Sequence, residues 1–129
     1  MKPSKHPPNQ RQLRVGEEIR HALSDIFMRG ETGDPYLGSV SITVSEVRIS
    51  PDLKNATAYV MPLGGTNRDV LIDALMKVAP YLRTLVSKKV LLRHAPRIGF
   101  RIDNSFDEAS RIEELLRRPE VARDLGDDK

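Results

Sequence analysis

The sequence predicts an α+β domain with a small three-stranded mixed sheet, and three observations predict it. The spacing of apolar residues changes from helical to alternating and back along the chain. A proline-containing turn joins two neighbouring strand-like segments, which favours an antiparallel hairpin. A long helical segment separates this hairpin from a third strand-like segment, and such a crossover allows parallel pairing. The length of 129 residues fits one domain, which we place at residues 11–117.

The first helix is predicted to begin at Arg11 and to end near Gly30, because glycine suits the position just after a helix. Its buried face consists of apolar residues at helical spacing, namely Val15, Ile19, Ala22, Leu23, Ile26 and Phe27. Residues 31–38 contain two glycines and Asp34-Pro35, so they are predicted to form a loop.

Two strands follow this loop. Residues 40–44 alternate apolar and polar side chains, and the alternation changes phase at Ser45-Glu46. A bulge or burial on both faces explains that change. Ser50-Pro51-Asp52 is a turn, because Pro51 presets one dihedral angle and Asp52 can bond its own backbone. Residues 56–61 are rich in strand-forming side chains and complete the hairpin.

A bent pair of helices is predicted between the second and third strands. Gly64-Gly65 breaks the strand, and Thr66 or Asn67 can cap the next helix. The helical pattern of residues 70–78 is interrupted by Pro80 and resumes at once in residues 82–92. Proline removes a backbone donor inside a helix, so we expect two helices that meet at a sharp bend formed by Val78, Ala79 and Pro80. The second of them is expected to end at Ala95-Pro96.

Residues 98–102 alternate as a third strand. Ser105 and Glu108 then form a capping box, which predicts a closing helix through residue 116. The two ends are polar. Residues 1–10 are expected to be a disordered basic arm, and residues 118–129 a flexible tail.

Charge is segregated along the chain. Residues 74–102 hold seven cations and no Asp or Glu, namely Lys77, Arg83, Lys88, Lys89, Arg93, Arg97 and Arg101. Such a surface attracts a polyphosphate backbone, and the helix N-terminus expected at the bend would add backbone donors. The candidate RNA contacts are therefore Arg83, Lys88, Lys89, Arg93, Arg97 and Arg101, with Arg11 and Arg14 as secondary ones. A solvated helix face that keeps the protein soluble is the alternative interpretation.

Catalysis and metal binding have little support in the sequence. The chain has no cysteine, and His6, His21 and His94 do not share a metal-ligand spacing. Ser105 lacks the glycine elbow of a hydrolytic serine and is better explained as a helix cap. We expect no enzyme activity, catalytic residue, metal or cofactor. The sequence also lacks a stretch long enough to span a membrane or to serve as a secretory signal. A protein–protein adaptor that uses a sheet edge or the closing helix stays open.

Several segments resemble the ribosome-binding factor A family in order and spacing. Residues 44–53 (VSEVRISPDL) and 56–60 (ATAYV) resemble the paired strands of that family. Residues 82–88 (LRTLVSK), Leu92-Arg93, Pro96 and 100–105 (FRIDNS) resemble its second helix and last strand, and Arg111-Ile112 resembles its closing helix. The resemblance covers roughly residues 11–116.

The resemblance implies a type II KH-like fold and a bacterial ribosome assembly factor. Such a factor binds immature small (30S) subunits in the cytoplasm and assists late maturation and 5′-end processing of 16S rRNA. The family's role also includes growth in the cold, and it acts by binding without catalysis. We expect a monomer whose partners are the small subunit and its rRNA, with no membrane and no small-molecule substrate. The family's bend is typically Ala-x-Gly, where this chain has Val78-Ala79-Pro80.

Overall fold

The computed structural model describes residues 7–64 and 66–105, and it confirms the predicted α+β class and the three-stranded mixed sheet. Its elements are α1 (Gln10–Met28), α2 (Pro35–Ser39), β1 (Ile42–Ile49), β2 (Asn55–Pro62), α3 (Arg68–Lys89) and β3 (Arg97–Ile102). The predicted closing helix, the first six residues and the polar tail lie outside the described residues. No helix in the described ranges combines the length and the apolarity that a membrane span needs.

The sheet has the order β1-β2-β3, with β1 antiparallel and β3 parallel to the central strand. The register between β1 and β2 shifts between Val44 and Glu46, so the bulge predicted from the phase change is confirmed. The turn after β1 is also confirmed. The backbone N–H of Leu53 donates to the carbonyl of Ser50, and a carboxylate oxygen of Asp52 accepts from the N–H of Lys54.

α1 begins one residue earlier than predicted, because Asn9 and Gln12 form a reciprocal capping box at its start. The helix ends at Met28, and Gly30 follows its Arg29 cap as expected, with a φ of 66° in the left-handed region. The N–H of Gly30 donates to the carbonyl of Phe27, and the N–H of Glu31 donates to the carbonyl of Ile26. These two bonds satisfy carbonyls that the helix end would otherwise leave without partners.

α2 was expected to be part of a loop. Asp34 accepts hydrogen bonds from the N–H groups of Tyr36 and Leu37, and Pro35 occupies the first helical position. An Asp-Pro pair therefore acts here as a helix start, although the same pair is also typical of turns. Five residues are too few to show a helical period, so the pattern could not separate the two outcomes.

The prediction that two helices meet at Pro80 is wrong, because α3 runs without interruption from Arg68 to Lys89. Pro80 lies on the exposed side of the helix, and its neighbour one turn back, Met76, is half exposed. Water can therefore bond the Met76 carbonyl that Pro80 leaves without a donor. The helix also ends at Lys89 rather than at Ala95-Pro96, so residues 90–96 form a loop.

The core lies between one face of the sheet and the two long helices. α1 packs on β1, α3 packs on β3, and the helices contact each other. The strands contribute one set of alternate residues to this core, namely Val44, Val47, Ile49, Ala56, Ala58, Val60, Ile98 and Phe100. Gly16 brings α1 close to β1, since a Cβ atom at that position would lie 2.5 Å from the carbonyl oxygen of Val47.

Candidate nucleic-acid interface

A groove of about 610 Å³ lies where the start of α1, the turn between β1 and β2, the C-terminal half of α3 and the loop 90–96 meet. Of the residues that the structure describes, five cations line it, together with His94 and a single acid, Asp52. The cations are Arg11, Lys54, Arg83, Arg93 and Arg97. We call this the cationic groove. Its formal charge is strongly positive, and a concave surface of one sign concentrates the field on a bound anion.

The turn between β1 and β2 fixes the position of Lys54. Leu53 adopts a φ of 62°, which is uncommon for a residue with a side chain, and hydrogen bonds within the turn hold it there. The carbonyl of Lys54 accepts from the N–H of Arg97 at 2.8 Å. This bond brings the turn to the start of β3 and places two of the five cations side by side.

Among the described residues, Asp52 is the one acid that lines the groove, and its carboxylate already has partners. The Ser50 hydroxyl donates to it at 2.6 Å, and the Lys54 N–H donates to it at 3.0 Å. These hydrogen bonds hold the pKa of Asp52 below its usual range, with the Ser50 hydroxyl as the largest cause. The carboxylate thus stays ionised and holds the turn, and its one negative charge leaves the five cations of the groove in excess.

Arg83 connects α3 to the loop that follows it. Its Nε donates to the carbonyl of Ala95 at 3.0 Å. This bond holds residues 90–96 against the helix and keeps the guanidinium at the rim of the groove. Arg83 is therefore placed by a contact that links two elements, and its remaining donors are directed away from the carbonyl that it already binds.

A second groove of about 640 Å³ runs between α3 and β3, an edge strand of the described sheet. Its walls are Met76, Ala79, Pro80, Thr84, Ser87 and Ile98, together with Arg83, Ala95 and Arg97, which also line the cationic groove. We call it the helix–strand groove. Two of the three predicted bend residues line it. A free helix N-terminus is not available there, because α3 is continuous at Pro80.

The structure brings together four of the eight predicted cations, namely Arg11, Arg83, Arg93 and Arg97. Arg14 is exposed on α1 and does not line the groove. Arg101 is exposed on the sheet face opposite the core. Lys88 lies five residues after Arg83, and at 3.6 residues per turn that separation points it about 140° away around the helix.

The surroundings of Lys89 differ most from the acid-free surface that the sequence predicts. Its ammonium group lies 3.0 Å from a carboxylate oxygen of Asp25 and 3.8 Å from one of Glu31. The position is on the side of α3 that faces α1, so acids distant in sequence become neighbours in space. The pKa of Asp25 is lowered, first by the hydrogen bond from Lys89 and then by that from Arg29. Lys89 thus bridges two helices.

Lys54 and His94 line the groove but were not among the candidate contacts. Lys54 belongs to a stretch of sequence that is acidic on balance, and only the fold of the turn reveals its position. His94 lies between Arg93 and Arg97 in the sequence, and that proximity was the available signal. Among the described residues, no three His, Asp or Glu side chains are grouped so as to hold a metal ion.

Comparison with known proteins places these features in a family. The family model described as Ribosome-binding factor A matches residues 11–116. A ribosome-binding factor A of Rhodopseudomonas palustris is 55% identical over 120 residues, which are 93% of this chain and 88% of the relative.

Two Thermus thermophilus structures share the fold. The crystal structure of ribosome-binding factor A from this organism has a TM-score of 0.60 at 24% identity, over 70% of this chain and 94% of that one. A homology model of the Thermus thermophilus ribosome binding factor A, fitted into a cryo-EM map of its 30S complex, has a TM-score of 0.56 at 22% identity, over 69% of this chain and 91% of that one. The KH-like fold expected from the sequence is confirmed.

Proposed function

The chain belongs to the ribosome-binding factor A family, and we propose that it is an assembly factor that binds immature small ribosomal subunits through its cationic groove. The observation that carries this proposal is the meeting of five cations from five segments of the described chain around one described acid that is already hydrogen-bonded. Phosphates that enter the groove release condensed counterions, and this release supplies most of the affinity of such surfaces for nucleic acid.

The helix–strand groove gives the RNA strand a path beyond the cationic groove. Arg83 and Arg97 line both grooves, so they can contact consecutive phosphates where the two meet. Met76, Pro80 and Ile98 offer an apolar surface to an unpaired base, and the Thr84 and Ser87 hydroxyls lie at its side. This combination suits a single strand better than a duplex, whose bases are stacked inside.

The protein would assist assembly of the small subunit through its binding energy alone, without a chemical step. A protein that prefers one rRNA conformation shifts the equilibrium between two conformations by its difference in affinity, and about 1.4 kcal/mol of preference changes the ratio tenfold. In this way a cytoplasmic monomer would favour the late conformation of the small subunit and assist 5′-end maturation of 16S rRNA. It would leave before the subunit enters translation.

Sedimentation of cell extract tests the proposal directly. The chain is expected to migrate with free small subunits and to be absent from translating ribosomes. The double variant R83Q/R93Q removes two groove cations and is expected to migrate at the top of the gradient. The double variant R14Q/K88Q removes the same charge from outside the groove and should migrate like the unaltered chain. Migration of the unaltered chain away from small subunits would contradict the proposal.

A protein–protein adaptor is the second candidate, and one observation favours it. β1 is an edge strand of the described sheet, and a groove of about 500 Å³ lies beside it, lined by Phe27, Met28, Val40, Ile42 and Leu63 among others. The bulge at Ser45 twists this edge, which discourages the addition of a strand. An apolar interface would bind equally well in high salt, whereas RNA binding weakens steeply.

A further inference from the structure

The face of the sheet that points away from α1 and α3 carries a distinct set of side chains. Strand alternation places Glu46, Arg48, Thr57, Tyr59, Gly99 and Arg101 there, and we call these residues the open sheet face. The register aligns Glu46, Tyr59 and Arg101 in one row across the three strands, and Arg48, Thr57 and Gly99 in the next.

Arg48 and Tyr59 form a flat platform on this face. The Arg48 guanidinium carbon lies over the Tyr59 ring, 5.4 Å from its centroid. The Nε of Arg48 also donates to Glu46 at 2.8 Å, which limits the rotation of the guanidinium group. An Arg plane held in this way can stack on a nucleobase with its outer side, as aromatic rings and guanidinium groups commonly do with unpaired bases.

Arg101 lies directly beside this platform. It pairs in register with Tyr59, and it is exposed. Gly99, two residues earlier on the same face, has no side chain and so adds no bulk between Arg97 and Arg101. Because Arg97 lines both grooves at the start of the same strand, the open sheet face continues the proposed RNA path around the edge of the sheet.

We propose that the open sheet face binds an unpaired nucleotide, with its base stacked on Arg48 above Tyr59 and its phosphate bound by Arg101. The inference rests on the proposed function and adds a second contact surface to it. One molecule then holds RNA at the groove and at the back of the sheet, and the two contacts reinforce each other because the second binding event is intramolecular.

Charge and polarity favour RNA over protein as the occupant. The six described residues that define the face include two arginines and one acid, and the acid is bonded to Arg48. The large apolar side chains exposed in the described ranges all lie elsewhere, namely Leu13, Met28, Leu63, Val70, Met76, Tyr81 and Leu91. Protein interfaces have an extended apolar and aromatic centre, whereas strand alternation places a single partly buried apolar side chain, Met61, beside Tyr59 on this face.

The test compares two arginine variants with a matched control, using the full chain and fluorescence anisotropy. The probes are a fluorescein-labelled single-stranded octamer of uridine and a fully paired RNA duplex of eight base pairs. R48K keeps the charge but removes the flat guanidinium plane. We expect it to weaken octamer binding roughly five- to tenfold, the range for loss of one stacking contact, and to leave duplex binding unchanged.

R101Q removes a phosphate contact and is expected to weaken octamer binding several-fold. The control K88Q removes an exposed cation from α3, and its affinity for the octamer should stay within about twofold of that of the unaltered chain. Unchanged octamer binding by R48K overturns the inference, and so does an equal loss on octamer and duplex. If R83Q/R93Q still loses RNA binding in those cases, the proposed function survives. R48K and R101Q could also bind RNA normally and yet associate more weakly with small subunits. That result would assign the face to a protein partner, and it would overturn the inference as well.

Discussion

Gly16 shows how one residue sets the distance between a helix and a strand. Its substitution by alanine would place a Cβ atom 2.5 Å from the Val47 carbonyl oxygen, a backbone atom that cannot rotate away. Alanine gains about 1 kcal/mol of helix propensity over glycine, but overpacking of this kind costs roughly 1–3 kcal/mol. We expect Gly16→Ala to lower the free energy of unfolding by up to about 2 kcal/mol, measured by urea denaturation.

Gly38→Ala is the matched control for that measurement. Gly38 is also helical, and no heavy atom lies within 4 Å of the Cβ that the substitution would add. It should leave stability unchanged or raise it slightly. A similar loss in both variants would show that glycine flexibility, and not the approach of α1 to β1, determines the outcome.

Asp103 links stability to pH. The Ser45 hydroxyl donates to its carboxylate and the Ser105 N–H donates at 2.9 Å, and these bonds hold the pKa of Asp103 below its usual range. A lowered folded-state pKa stabilises the fold above the unfolded value of about 3.9, and this contribution is lost as the pH falls through the folded-state pKa. Thermal unfolding should therefore show Asp103→Asn to be less stable than the unaltered chain at about pH 7 and equally stable near pH 2. A difference that is constant over this range would contradict the assignment.

At the scale of elements, the continuity of α3 makes a prediction about Pro80. Proline in a helix interior lacks a donor and costs up to about 3 kcal/mol relative to alanine, and the exposed position recovers part of this through water. We expect Pro80→Ala to raise the free energy of unfolding by about 1–2 kcal/mol in urea denaturation. Thr84→Ala, one turn later and also exposed, is the control and should change stability by less.

A loss of stability in Pro80→Ala would mean that the packing of Ala79 and Leu82 depends on curvature that proline imposes. Both side chains are buried against the sheet, so this outcome would be detectable as weakened contact between α3 and β3. The experiment therefore separates a proline that the fold tolerates from one that the fold uses.

Most of the elements were predictable from the sequence because their signals are local. The alternation of β1 and β3, the bulge at Ser45, the Asn67 cap and the Gly30 terminus each depend on a few neighbouring residues. The continuity of α3 was not predictable in this way. Whether a proline divides a helix depends on which side of the helix faces water, and that is decided by β3, which lies later in the chain.

The candidate site was predictable only in part, for geometric reasons. Arg83, Arg93 and Arg97 come from the acid-free interval and do meet in the groove. Lys88 and Lys89 are neighbours in sequence, but a helix rotates about 100° per residue and directs them to different surfaces. Since the end of α3 was misplaced beyond Lys89, the sequence could not reveal that Arg93 lies in a loop that returns to α1.

At the scale of the whole molecule, the effect of a positive charge on RNA binding depends on where the charge lies. R83Q/R93Q and R14Q/K88Q each remove two positive charges, so they change the net charge of the chain identically. Only the first pair removes cations from the cationic groove.

Each phosphate contact contributes about 0.7 to the slope of log affinity against log salt for single-stranded RNA, so loss of two contacts should reduce the slope by about 1.4. We expect this reduction for R83Q/R93Q and a nearly unchanged slope for R14Q/K88Q, measured by titration of an unpaired rRNA fragment between about 50 and 200 mM salt. Equal reductions in both variants would mean that net charge, rather than the groove, attracts the RNA, and the binding surface would then have to be sought over the whole protein.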